Sequence, residues 1–123
     1  MQNLLLVGLG GAIGAVTRYT VDQVVFTQMG SSLIGTFIAN VSGSFLLGLL
    51  LGLFASNPDW PDETRVFIAV GFLGSYTTFS TLSMATIQLL QKGDISTAAI
   101  NLGASVALGI TAAFIGIILG RTL

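Results

Sequence analysis

The sequence predicts an all-α membrane protein of four transmembrane helices, the third broken in mid-membrane, on three observations. Of the 123 residues, 53% are hydrophobic and only 7% charged, too little charge to surface a soluble domain of this size. Four apolar stretches each reach the roughly 20 residues that a spanning helix needs: Asn3–Phe26, Leu33–Ala55, Arg65–Leu90 and Ser96–Gly120. The third contains Gly74–Ser83, which sets a glycine and the hydroxyls of Ser75, Thr77, Thr78, Ser80, Thr81 and Ser83 where lipid-facing sequence is Leu, Ile and Val. Polar or irregular backbone at that depth is tolerated only when covered by protein or lining a water-filled path. Residues 1–123 read as a single domain.

The first stretch resembles a signal-peptide core, but no basic residue precedes it and the apolar pattern runs past Arg18 to Phe26. A retained first helix is expected. Connections fall at Thr27–Ser32, Ser56–Thr64 and Gln91–Ile95, each with turn or interface residues. Asn57 or Ser56 ends the second helix, and Pro61-Asp62-Glu63 provides an acidic first turn for the third. Trp60 fits an interfacial anchor.

Chemistry is restricted by what is absent. There is no Cys and no His, which removes disulfides, thiolate nucleophiles, imidazole bases and the usual zinc ligands. Five acids against four bases leave no basic patch for nucleic acid. Lys and Arg give no clear orientation: Arg65 and Arg121 fall on the side of the N-terminus, Arg18 and Lys92 on the other. Either other determinants set the topology, or the chain inserts both ways and two copies meet antiparallel. Small residues recur at spacings of four: Gly10 and Gly14; Ser44, Gly48 and Gly52; Gly103 and Ala107; Gly116 and Gly120. They permit close helix packing, within the bundle or in the oligomer that we expect.

The polar residues in the spans are the functional candidates. Arg18 costs at least about 2.5 kcal/mol at bilayer depth by insertion scales. It either snorkels to the interface and pairs with Asp22 at i+4, or sits at a mouth where its charge concentrates anions. Asn40, with Ser42 and Ser44 nearby, either bridges helices or aims an uncharged donor at an anion; Asn101 bridges helices. A break around Gly74–Thr78 frees carbonyls for a small cation. Beyond it, Phe79, Leu82, Ser83 and Thr86 share one helix face, so the positive edge of the Phe79 ring can meet an anion beside Ser hydroxyls.

Three motifs in order, Gly10–Arg18 (GGAIGAVTR), Gly35–Gly43 (GTFIANVSG) and Gly71–Thr81 (GFLGSYTTFST), resemble the Fluc, or CrcB-type, fluoride channel family from end to end. The resemblance implies a dual-topology antiparallel dimer in the cell membrane, with two fluoride pores lined by both subunits. It further implies that Arg18 is a vestibule arginine and that Asn40, Phe79, Ser80 and Ser83 contact the ion. Gly74 and Thr77 match the residues whose backbone carbonyls hold a structural sodium ion (Na+) between subunits. Two positions depart from the family pattern: Leu82 replaces a second Phe and Ala85 replaces a Glu. Ala113 also stands where a helix-4 threonine is expected, with Thr111 the nearest substitute. The expected function is passive fluoride export from the cytoplasm. The alternatives are one subunit of a heterodimeric channel with altered pores, and a small four-helix multidrug exporter, which normally needs a buried carboxylate.

Overall fold

The computed structural model describes all 123 residues and contains only helices and their connections. Helix α1 spans Gln2–Met29, α2 Ser32–Ser56, α3 Asp62–Arg65, α4 Gly74–Tyr76, α5 Phe79–Gln91 and α6 Ile95–Thr122. A π-helical segment, Val66–Leu73, joins α3 to α4, so α3 to α5 form one bent path, Asp62–Gln91. With α1, α2 and α6 it makes four membrane-spanning units, and the protein is a multi-pass membrane protein. At about 1.5 Å per residue, the 28-residue α1 is about 42 Å long, enough to cross a hydrocarbon core of about 30 Å.

Local sequence fixes the ends. Gly30 terminates α1 in the left-handed region, φ 70°, its N–H donating to the Phe26 carbonyl. Asn57 caps α2, and its side-chain amide donates back to Leu53 O at 2.9 Å. Pro61 precedes α3, whose first turn carries Asp62 and Glu63. Asp94 accepts from the Thr97 N–H at the start of α6. Trp60 packs edge-on against Phe54 at 5.6 Å between centroids, with the Arg65 guanidinium 4.8 Å from the Phe54 ring centre.

Packing depends on backbone proximity more than on a large apolar core, since only 17 of 123 residues are buried. Helix α2 has its most extensive contact with α6, while α1 lies along the π-helical segment and α4. Both seams are built from the small-residue stripes. A Cβ on Gly48 would strike the Ala113 carbonyl, and one on Gly116 or Gly120 would strike the Phe45 or Leu49 carbonyl. On the other seam, a Cβ on Gly10 or Gly14 would strike the Phe67 or Phe72 carbonyl. These stripes therefore act inside the chain, whereas Gly8 and Gly103 face open space. A compact cluster of Ala39, Leu73 and Tyr76, flanked by Val21, Leu50 and Phe72, sits just before the bend of the third span.

Arg18 lies well inside the first span, and the helix-end alternative does not hold. Helix α1 continues to Met29, so Arg18 lies close to its middle and does not count toward either loop.

A bulky residue at the α2–α6 seam has nowhere to go. Gly116→Val is expected to destabilise the fold by about 1–3 kcal/mol, seen as a lower thermal midpoint in detergent. Gly103→Val is expected to leave that midpoint unchanged.

Candidate functional site

The bend in the third span is assembled from hydrogen bonds that leave the regular helical ladder. The π-helical segment closes wider turns and ends at Gly74, whose N–H reaches the Ala69 and Gly71 carbonyls. Thr77 donates twice to the Leu73 carbonyl, from its N–H at 3.1 Å and its hydroxyl at 3.0 Å. Thr77 and Thr78 are then extended, with ψ of 152° and 114°. Asn40 of α2 holds the gap: Thr78 N–H donates to its Oδ1 at 2.7 Å, and its Nδ2 donates to the Thr78 carbonyl at 3.1 Å. The side-chain amide thus pairs with Thr78 in both directions, as a neighbouring strand would. The Thr78 hydroxyl accepts from the Thr81 N–H at 3.3 Å and caps α5.

Two consequences follow for the backbone. The Thr78 N–H, which a continuous helix would direct at the Gly74 carbonyl, is diverted to Asn40, and the Thr77 carbonyl accepts no hydrogen bond. In addition, α5 begins in mid-span, with the positive end of its peptide dipoles beside Asn40. A second bond, Tyr76 Oη to Ser42 Oγ at 2.9 Å, ties the residue before the gap to α2. The Tyr76 ring stacks on Phe72 at 5.9 Å.

Two recesses of mixed lining flank the start of α5. One, of about 260 Å³, is lined by Asn40, Ser44, Thr77, Thr78 and Ser105 on its polar side and by Leu47, Phe79, Leu82 and Val106 on its apolar side. The other, of about 330 Å³, is lined by Ser32, Thr36, Ser80, Thr81, Ala85 and Gln88 among others. Asn40 and Phe79 are therefore brought together, while Ser80 opens into the second recess, because consecutive helical residues point about 100° apart. Ser83 lines neither, and its hydroxyl donates to the Phe79 carbonyl at 3.0 Å. Phe79 itself is 77% exposed in the isolated chain. Leu82 is buried at the floor of the first recess. Arg18 does not snorkel outward; its Nε donates to the Ser75 carbonyl at 3.4 Å, beside the bend, with Asp22 at 3.8 Å.

Sequence reasoning missed Ser105. It is 7% exposed, and its hydroxyl is buried with no hydrogen-bond partner beside Asn40 and Phe79. The available signal was a hydroxyl one turn beyond Asn101 in a helix otherwise rich in Ala, Gly and Leu. The Asn101 side chain makes no hydrogen bond within the chain, and the Thr111 hydroxyl donates to the carbonyl of Ala107 at 2.7 Å.

Residues 5–117 match the family described as CrcB-like protein, Camphor Resistance (CrcB). The chain belongs to the CrcB family. Similar curated proteins include one from Acidobacterium capsulatum, 42% identical over 95% of this chain and 94% of its own length. Others are from Magnetococcus marinus, 43% identical, and Shewanella oneidensis, 44% identical, each covered over 94% of both chains. All three are named fluoride-specific ion channel FluC, a channel and not an enzyme. The similarity spans the CrcB chain's four membrane units and the bend between α4 and α5.

Asn40 and Ser105 should separate on stability. In Asn40→Leu, Thr78 loses both partners at once, and each buried group left unpaired costs about 1–3 kcal/mol. A clearly lower unfolding midpoint is expected. Ser105→Ala removes a hydroxyl that no protein group pairs with, so its midpoint should equal or exceed that of the parent.

Proposed function

We propose that this chain forms a fluoride-selective channel through which cytoplasmic fluoride leaves the cell passively, lowering its toxicity. The observation that carries the reading is the recess at the start of α5, a few polar groups set in an otherwise apolar lining. The unpartnered Ser105 hydroxyl and the Asn40 amide meet there at mid-span, with no fixed negative charge among the lining residues. The names of the relatives support it.

Fluoride is small and strongly hydrated, so a pore must replace its water with donors. Asn40 gives one amide hydrogen to the Thr78 carbonyl and keeps its second. The Ser105 hydroxyl is unpaired, the end of α5 adds its dipoles, and the Phe79 ring edge is weakly positive. Ser80 adds a hydroxyl in the neighbouring recess, Ser83 reaches an ion only by turning its hydroxyl away from the Phe79 carbonyl, and Arg18 raises anion concentration at the vestibule. Several weak sites in series allow both entry and departure. An inside-negative potential drives the anion outward with about 2.3 kcal/mol per charge per 100 mV, so no energy coupling is required.

The pore is completed by a second subunit, antiparallel to the first, in the plasma membrane. Phe79 supports this through its place rather than its exposure alone: the 77% exposed ring stands beside Asn40 at the open side of the recess, where a second subunit would close it. The glycine stripes do not bear on it, being occupied within the chain. The Gly74 and Thr77 carbonyls, freed where the helix breaks, would serve a sodium ion as unwound carbonyls of broken membrane helices do; such an ion would pin the two bends together. Pairing with an unequal subunit is the second reading, favoured by Leu82 and Ala85, which remove a ring edge and a carboxyl from the family pattern.

In liposomes holding only this chain, fluoride efflux without chloride efflux is expected. Silence from a folded dimer would favour the unequal pair. Ser105→Ala should lower fluoride flux at least tenfold while leaving stability intact. Flux equal to the parent's would remove Ser105 from the path.

A further inference from the structure

Asp22 is the only acid inside a membrane unit away from its ends, and the fluoride reading gives it no task. Its Oδ2 lies 3.8 Å from Arg18 Nη1, one helical turn away. Its Oδ1 is buried with no hydrogen-bond partner, and a native orphan of this kind calls for an explanation. The carboxylate is pressed against α2 at Gly35, where a Cβ would sit 2.8 Å from Oδ1 and 3.1 Å from the Asp22 Cα. The fold therefore leaves room for this carboxylate, yet gives it no partner except the guanidinium. Arg18 in turn reaches the Ser75 carbonyl beside the bend, so the pair adjoins the stretch of chain that opens into the recesses.

We propose that Asp22 is a positioning and charge-balancing residue: it holds Arg18 at the Ser75 carbonyl and offsets its positive field, limiting the rate at which anions enter. The proposal rests on the fluoride-channel reading. An uncompensated arginine would concentrate anions more strongly but would also tend to retain them. The counter-charge moderates both effects. A negative charge next to the vestibule repels an arriving anion at long range, and that repulsion fades as salt screens it. A group that only supported the fold would leave the salt dependence of transport unchanged.

The test is initial fluoride efflux from liposomes at low fluoride, measured across a range of ionic strengths, for the full-length parent, Asp22→Asn and the double variant Arg18→Gln/Asp22→Asn. Asn keeps the shape of Asp and removes its charge; Asp22→Ser, smaller against Gly35, takes its place if the Asp22→Asn protein does not fold. The expected result is flux roughly three- to tenfold above the parent at low salt, converging with the parent at high salt. The gain should vanish in the double variant. Equal flux and equal salt dependence in parent and Asp22→Asn would overturn the proposal while leaving the channel reading intact. A parent that passes no fluoride would contradict the channel reading, and this proposal with it.

Discussion

The pairing of Asn40 with Thr78 is the interaction on which the rest depends. In a hydrocarbon interior each unpaired backbone group costs several kcal/mol, so a helix cannot simply stop there. This one does stop, at Thr77 and Thr78, because a side-chain amide on α2 takes over one donor and one acceptor of Thr78. Thr77 and Thr78 close most of the remaining gaps themselves, the former onto the Leu73 carbonyl and the latter as cap of α5. What is left over is a small set of groups with no protein partner, and the proposed ion path runs past them.

That arrangement requires α2 to lie within hydrogen-bonding distance of the third span, and glycine makes this possible. Gly43 leaves space for Thr77 and Tyr76, while Gly10 and Gly14 let α1 support the π-helical segment from behind. On its other face, α2 is held by α6 through Gly48, Gly52, Gly116 and Gly120. The same seam carries Ser105 to the recess. Association without an apolar driving force is consistent with the membrane setting, where lipid competes equally for Leu and Ile.

Much of this was legible in the sequence, for reasons that differ by element. Hydropathy located the four spans because the bilayer imposes a length and a polarity. The hydroxyl density of Gly74–Ser83 located the break, since unsatisfied backbone must be sheltered. Asn40 was singled out with two alternative tasks, and the geometry shows the first: its amide ties α2 to Thr78 of the third span. Hydropathy sets Arg18 well inside the first span, but its assignment to one loop in the charge tally fails because α1 continues through Thr27 and Gln28 to Met29. The glycine stripes suggested association, but spacing alone does not say which neighbour a stripe meets. Ser105 was overlooked because a single Ser among Ala and Gly has no distinguishing pattern until the fold sets it beside Asn40.

Hydrogen exchange at the Thr78 amide, in bilayers and with Asn40→Ala alongside the parent, tests the central claim most directly. If Asn40 holds the break, the parent amide is protected and the substitution speeds its exchange by roughly 30-fold or more, the equivalent of about 2 kcal/mol. Equal protection in both proteins would mean that Thr78 is bonded within a continuous third helix, and the account of the site built on that break would be contradicted.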